Sequence, residues 1–201
     1  MNHVNISRRN LIHSTALVYA ASSEQIAEDA ELDQSSNYAL SKTIGEAILK
    51  FQSNRQQVDH TIVRFFNVFG PGQLAMYIIP LVLRQIQNEN KVVVRNGAVM
   101  RDMLFVDDCI DAVLKLAVTP AAANDVFNIG SGEIVTISDI ARQAIRASGR
   151  TDVEYTDLEQ NIEFSPTAIM ADIKKVTSTI DWRPQVSLEE GLKRMWDSYV
   201  K

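Results

Sequence analysis

The sequence contains a single cysteine, Cys109, which excludes an internal disulfide. Because Cys109 lies in an apolar run, we interpret it as a small buried hydrophobic residue. No apolar run approaches the roughly 20 residues that span a bilayer, so a soluble cytoplasmic protein with no membrane partner is expected. Lysine and arginine together number 20 against 25 acidic residues, and this balance gives no electrostatic footprint for nucleic acid.

Internal repeats and low-complexity tracts are also missing from the 201 residues, of which 46% are hydrophobic. A chain of this length and composition can bury the core of one domain or of two small ones. Since the net charge is −5, any phosphate-bearing ligand must be held by a few local groups rather than by the overall field.

Strands and helices are predicted to alternate, which indicates an α/β fold with parallel strand pairing. Segment 10–20 fits a buried strand that ends in hydroxyl groups, and segment 60–67 fits a second strand. Segment 22–36 is polar and is predicted to be a loop, and segment 150–167 is left unassigned. The helix after position 36 has one apolar stripe, made of Leu40, Ile44, Ala47, Ile48 and Phe51.

Further elements follow from local signals. The predicted strands are 91–94 and 126–129, and the predicted helices are 77–87, one that begins near Asp107-Asp108, one that begins at Thr136 and one that begins at Ser187. Thr136 and Asp139 have capping-box spacing, as do Ser187 and Glu190. In the helix that follows Asp108, the apolar positions are taken to be Ile110, Val113, Leu114 and Ala117.

Tyr38 and Lys42 lie one helical turn apart at the start of the first predicted helix, so both side chains project from one face. The apolar stripe leaves this face free to look into a cleft. A neighbouring cation favours the phenolate form of tyrosine, which makes Tyr38 a candidate for proton exchange near neutral pH. Taken alone, the spacing is weak evidence and favours a solvated pair on a helix surface.

Six segments in order extend this interpretation. They are HSTALVYA at 13–20, NYALSK at 37–42, VRFFNVFGPG at 63–72, RDMLFVDDCIDAV at 101–113, VFNIGSGEIVTISDIA at 126–141 and DWRPQVSLEEGL at 181–192. Together they resemble the extended branch of the short-chain dehydrogenase/reductases, specifically the NAD-dependent nucleotide-sugar epimerase/dehydratase group. The resemblance covers nearly the whole chain.

This resemblance implies the C-terminal part of a Rossmann-like doubly wound parallel sheet together with a small α/β substrate-binding region. Residues 1–70 and 101–127 would form a partial dinucleotide-binding domain. Residues 71–100 and 128–201 would form the substrate-binding domain. The implied cofactor is NAD or NADP, and the implied partner is a nucleotide-sugar substrate; no metal site is implied.

The resemblance also implies roles for individual residues. Tyr38 would be the catalytic acid and base, and Lys42 would bind the nicotinamide ribose hydroxyls. Thr15 would donate a hydrogen bond to the reacting oxygen of the substrate, as a hydroxyl can when charge develops there. Phe66 would lie near the nicotinamide.

The substrate phosphates would meet Asn67 and Arg101, of which the guanidinium suits a phosphate geometrically. Many members of the family have a second basic residue about ten positions before the alanine and aspartate that match Ala171-Asp172. Here that region, 161–165, reads NIEFS and has no cation. Arg101 would therefore hold the phosphate with less help, or the substrate would be less anionic.

Two departures from the family narrow the expected chemistry. The chain has no G-x-G-x-x-G or G-x-x-G-x-x-G motif, and Gly130-Ser131-Gly132 is interpreted as a strand-to-helix turn. Dehydratases of the group place an acidic pair directly after the threonine, where this chain has Ala16-Leu17. Without an ionisable side chain there, dehydration is disfavoured, and epimerisation or keto reduction remains.

Because the family pattern is matched only from its middle onward, we expect either the C-terminal part of a longer enzyme or a shortened chain. In isolation it is expected to be poorly soluble, to self-associate as a homodimer, or to associate with an N-terminal portion that supplies the missing strands. Two other functions remain open: a truncated, non-catalytic binding module, and a dehydrogenase of a small secondary alcohol.

Overall fold

The computed structural model describes residues 9–20, 22, 24–158 and 169–200. The strands are β1 Arg9–Thr15, β2 Gln25–Ile26, β3 Asp59–Phe65, β4 Asn67–Phe69, β5 Lys91–Arg95, β6 Met100–Arg101, β7 Met103–Phe105, β8 Asp125–Ile129, β9 Val135–Thr136, β10 Glu154–Leu158 and β11 Met170–Ala171. The α-helices are α1 Asn37–Gln56, α2 Ile78–Asn88, α3 Val106–Val118, α4 Ile137–Ser148, α5 Lys174–Ile180 and α6 Leu188–Tyr199. Short 3-10 helices span Ala16–Val18 and Pro120–Ala122. Segment 161–165, with its missing cation, lies outside the described residues.

A parallel sheet in the order β1-β3-β8 positions the site. Its β1–β3 pairing confirms the predicted α/β fold with parallel strands. Thr15 lies opposite Phe65, which in turn lies opposite Ile129, so the carboxyl ends of the three strands are level. Ligands of such sheets collect at this end. Among the described residues, no strand pairs with the other edge of β1.

Helix α1 begins where the sequence predicts, because the Ser36 hydroxyl oxygen accepts a hydrogen bond from the Ala39 N–H at 3.1 Å. Its fully buried residues are Ala39, Glu46 and Ser53. The large side chains of the apolar stripe face outward instead, with exposed fractions of 39% for Leu40, 50% for Ile44, 56% for Ile48 and 63% for Phe51. The stripe therefore makes no core for this helix, and a small and polar seam packs against the sheet.

The apolar positions predicted for helix α3 also differ from its buried face. The buried residues are Asp108, Cys109, Ala112 and Leu116, whereas Ile110 and Leu114 are 51% and 62% exposed. The predicted inward face was wrong because apolar residues surround most of this helix, so periodicity does not select one side. Burial raises the pKa of the Cys109 thiol to about 11, as expected for a packed cysteine rather than a reactive one.

The other predicted helices are confirmed, including the capping box of Thr136 and Asp139 in α4 and the Ser187 cap of α6. Strand β10 is an addition: it pairs in parallel with β5 and lies in the segment left unassigned. Its polar and half-exposed residues give it little hydrophobic signal. None of the helices in the described part of the chain has the length and apolarity needed to cross a bilayer.

Gly191 lets α6 approach the core closely. Phe69 and Phe105 pack edge to face, with ring centroids 5.4 Å apart. A Cβ on Gly191 would lie 2.7 Å from the Phe69 ring and 2.8 Å from the Phe105 ring. Both rings are buried, so neither can move away freely.

We therefore expect Gly191→Ala to lower the free energy of unfolding by about 1 to 3 kcal/mol, as overpacking does in a close-packed core. Gly45→Ala is the matched control, because a Cβ at Gly45 in α1 meets no atom within 4 Å. There the gain in helix propensity should stabilise the chain by up to about 1 kcal/mol. Chemical unfolding of both variants checks this, and equal stability of the two would contradict the packing described.

Candidate active site

A cavity of about 700 Å³ opens at the carboxyl ends of β1 and β3. Its lining residues are Thr15, Ala16, Leu17, Phe65, Phe66, Asn67, Ile78, Arg95, Asn96, Val99, Arg101, Ile137 and Ile169. The lining includes four of the six predicted site residues, which are Thr15, Phe66, Asn67 and Arg101. The cavity thus brings together residues that are up to 86 positions apart in the sequence. Tyr38 and Lys42 are not part of this lining.

Thr15 ends β1 and is buried, with 8% of its surface exposed. Its Oγ1 accepts a hydrogen bond from the Leu17 N–H at 3.3 Å and caps the 3-10 helix that follows. Because this contact uses only a lone pair, the hydroxyl proton is left to be donated toward the cavity.

Phe66 and Asn67 form the wall at the junction of β3 and β4. Phe66 is buried, and its N–H donates to the Ile129 carbonyl at 3.0 Å, which ties the junction to β8. The backbone N–H and the side-chain Nδ2 of Asn67 both donate to the Asp102 carbonyl, at 3.2 Å and 3.1 Å. The amide orientation is thereby fixed, and the Asn67 Oδ1 is left as an acceptor.

Tyr38 and Lys42 lie in the first two turns of α1. Helix α1 contacts the 3-10 helix that follows Thr15. The Lys42 ammonium lies 5.7 Å from the centre of the Tyr38 ring. Tyr38 is 51% exposed, so its phenol is accessible and not packed in the interior. The helix that carries the pair contacts β1 and the 3-10 helix after Thr15, and the roles of Tyr38 and Lys42 stay predictions.

Arg101 is half-buried at the end of β6, where its Nη1 donates to the Met100 carbonyl at 2.8 Å. Burial lowers the pKa of this guanidinium, which nevertheless remains charged at neutral pH. No carboxylate among the described residues forms an ion pair with it. A partly desolvated cation of this kind favours an anionic ligand.

Asp102 is a structural residue next to the cavity-lining Arg101 that the sequence reasoning missed. It is fully buried, and its carboxylate accepts hydrogen bonds from the Ser131 N–H at 2.6 Å, the Ser131 hydroxyl at 2.7 Å, the Gly132 N–H at 3.1 Å and the Ala171 N–H at 3.0 Å. Burial raises the pKa of Asp102, and these donors oppose the rise. Since the N–H groups of Ser131 and Gly132 are used internally, this turn is not a phosphate cradle.

A buried ion pair fixes α1 against the sheet. The Arg64 Nε donates to the Glu46 Oε1 at 3.0 Å and its Nη2 donates to Oε2 at 2.7 Å, with both side chains 5% exposed. Arg64 also donates to the Tyr19 hydroxyl at 2.8 Å, which donates to Asn128 at 2.6 Å. Arg64 thus has a structural role in the seam between α1 and the sheet.

Arg95 is the second residue that sequence reasoning missed. It ends β5 and lines the same cavity as Arg101. The signal available in the sequence was its position directly before the Asn96-Gly97 turn, where a strand stops and side chains gather.

Comparisons with known proteins agree with this geometry. Residues 2–130 match the model of a family described as NAD dependent epimerase/dehydratase family. An uncharacterized UDP-glucose epimerase, YtcB of Bacillus subtilis, is 26% identical over 181 residues, covering 89% of this chain and 56% of that protein. The dTDP-4-dehydro-6-deoxyglucose reductase of Escherichia coli is 26% identical over 187 residues, covering 90% and 58%. The chain therefore spans less than two thirds of these curated relatives.

Solved structures give the same result. The UDP-glucuronic acid 4-epimerase of Bacillus cereus, in complex with UDP-glucuronic acid and NAD, matches with a TM-score of 0.83 and 26% identity over 94% of this chain and 60% of that one. RMD of Pseudomonas aeruginosa, complexed with NADPH, matches with a TM-score of 0.85 and 22% identity over 96% and 66%. The second likeness establishes the fold alone.

The buried ion pair makes stability depend on pH. Burial acts to raise the pKa of Glu46, but the hydrogen bonds and charge of Arg64, together with smaller contributions from neighbouring groups, outweigh burial and hold the pKa below its ordinary value. A carboxyl group with a lowered folded-state pKa stabilises the protein above its unfolded-state pKa, and this stability is lost as the pH falls through the folded-state value.

We expect Glu46→Gln to lower the free energy of unfolding at pH 7 by about 3 to 5 kcal/mol, because Arg64 is left buried without its partner. The decline in stability below about pH 4.5 should become shallower in this variant. Asp111→Asn, which breaks an exposed i,i+4 pair with Lys115, is the control and should change stability by less than about 0.5 kcal/mol. Urea unfolding across pH measures both, and an unchanged acid limb in Glu46→Gln would refute this role.

Proposed function

Because the chain belongs to the NAD dependent epimerase/dehydratase family, we propose that it carries the substrate cavity and catalytic residues of a nucleotide-sugar epimerase or reductase. The observation that carries this proposal is the meeting of a hydroxyl, an amide and a guanidinium, from Thr15, Asn67 and Arg101, around one cavity; within the described ranges that guanidinium has no carboxylate partner. The helix with Tyr38 and Lys42 contacts β1 and the 3-10 helix that follows Thr15.

The proposed cofactor is NAD or NADP, and the described residues fit only its nicotinamide end. The buried Phe66 wall offers an apolar surface, and the Lys42 ammonium offers donors for ribose hydroxyls. The described part of the chain has no glycine-rich turn with free N–H groups for the pyrophosphate, since Ser131 and Gly132 donate to Asp102. When bound, such a cofactor supplies hydride exchange with a sugar carbon.

The chain's own residues would handle the proton and the substrate. Tyr38 would remove the proton from a sugar hydroxyl, and the Thr15 hydroxyl would donate to the same oxygen as negative charge develops on it. In a reduction the direction is reversed, and Tyr38 would protonate the keto oxygen. Ala16 and Leu17 line the cavity without an ionisable group, which supports epimerisation or reduction over dehydration.

The domain division proposed from the sequence places 1–70 and 101–127 in the dinucleotide-binding part and 71–100 and 128–201 in the substrate-binding part. The core clusters follow this division only in part: one packs around α2, α4 and α6 but includes Phe105, and another lies beneath α3 but includes Val176 and Trp182. The cavity is lined by residues of both parts.

The test is Tyr38→Phe in the catalytically competent assembly of this chain. Turnover of UDP-glucose, UDP-glucuronic acid or a dTDP-4-keto sugar with NAD or NADPH should fall at least about a hundredfold, because the acid and base is removed without changing shape. Tyr199→Phe, a half-exposed tyrosine at the end of α6, is the matched control and should leave turnover unchanged. Retained turnover in Tyr38→Phe would remove this residue from the mechanism.

A non-catalytic interaction module is the second candidate function. The outward apolar stripe of α1 and the unpaired edge of β1 favour it. The proposed occupant of α1 is a second copy of the chain in a homodimer, and that of the β1 edge is a polypeptide that supplies the preceding strands.

Titration of the chain with NADH, followed by nicotinamide fluorescence, separates the two candidates. Saturable binding that is weakened in Lys42→Gln is expected for the enzyme. Absence of saturable binding would argue against a usable cofactor site in this chain, and self-association in sedimentation velocity that Phe51→Lys abolishes would then favour the module.

A further inference from the structure

The cavity concentrates positive charge in an acidic protein. The net charge of the chain is −5, yet the described residues that line the cavity include Arg95 and Arg101 and no acidic residue. Within the described ranges, neither arginine has a carboxylate partner. Two cationic residues that line one cavity both attract an anion, so the arrangement is suited to a ligand with two negative charges.

Arg95 is carried by a turn whose backbone is held firmly. The Asp157 carboxylate accepts from the Gly97 N–H at 3.2 Å and from the Ser138 hydroxyl at 2.7 Å. The Ser138 N–H in turn donates to the Gly97 carbonyl at 2.9 Å, and Tyr155 donates to the Ser138 hydroxyl at 2.9 Å. The turn is therefore attached both to the start of α4 and to β10.

Gly97 shows how closely these groups approach. It is buried, and a Cβ added there would clash with the Asp157 carboxylate and the Ser138 hydroxyl. A residue next to such a turn has a fixed backbone, so ordering its side chain against a ligand costs less entropy than it would on a mobile loop.

We propose that Arg95 is a second substrate contact that makes the cavity select a diphosphate over a single phosphate. This inference rests on the proposed function, in which Arg101 meets the phosphate side of a nucleotide sugar. Each phosphate of that group carries one negative charge, so two guanidinium groups match it charge for charge and provide several donors in planar forks. Arg95 takes the place of the cation that the sequence lacks at 161–165.

Calorimetric titration of the 201-residue chain with inorganic pyrophosphate and with inorganic phosphate tests this without cofactor or turnover. Arg95→Gln should weaken pyrophosphate binding at least about tenfold, as loss of a charge-assisted contact does, and should weaken phosphate binding less. Arg84→Gln removes the same charge from the exposed face of α2 and should change both by less than about twofold. Arg95→Lys, which keeps the charge without the fork, should lie in between.

If Arg95→Gln weakens the binding of pyrophosphate and of phosphate equally, or if Arg84→Gln weakens binding as much, the effect comes only from the general positive charge. Either result would overturn the proposal. Pyrophosphate binding that is lost in Arg101→Gln but kept in Arg95→Gln would also overturn it and leave the proposed function intact. If the wild-type chain binds neither anion, the diphosphate contact is wrong, and the Tyr38→Phe assay decides the proposed function separately. If circular dichroism shows that Arg95→Gln is unfolded, the binding of pyrophosphate and of phosphate by Arg95→Lys tests the proposal instead.

Discussion

The buried carboxylate of Asp102 is the contact on which the candidate site depends. It holds the 131–132 turn and the end of β11 through its side chain, while its carbonyl holds Asn67. Arg101, the adjacent residue, is thereby placed on the cavity wall without an ion-pair partner of its own among the described residues. A fully buried carboxylate is costly unless its lone pairs are satisfied, and here four hydrogen bonds offset that cost.

A second buried polar contact orients the catalytic candidates. Glu46 lies on α1 and Arg64 on β3, so their fork fixes the helix against the strand whose end is level with Thr15. Tyr38 lies two helical turns before Glu46, and the position of the first turn of α1 follows from this contact. Because the helix buries small and polar residues, its placement relies on the ion pair more than on hydrophobic packing.

Local signals in the sequence predicted much of the fold, and non-local contacts account for what they missed. The Thr136–Asp139 capping box involves groups three residues apart and was predicted correctly. Strand β10 was missed because it is polar and is stabilised by its pairing with β5. The partners of Asp102 lie 29 to 69 positions away, and Arg95 reaches the cavity only through a turn held by distant residues. Neither fact is encoded in a short pattern.

The central claim is that the cavity between the β1 end and the Arg95 turn holds a nucleotide sugar. Hydrogen–deuterium exchange of the chain with and without UDP-glucose or dTDP-glucose measures this directly at the backbone. Slower exchange on ligand addition is predicted for peptides that cover 15–18, 65–68 and 95–101, with no change in α5 or α6. Unchanged exchange in those three peptides, or protection confined to other parts of the chain, would contradict the account.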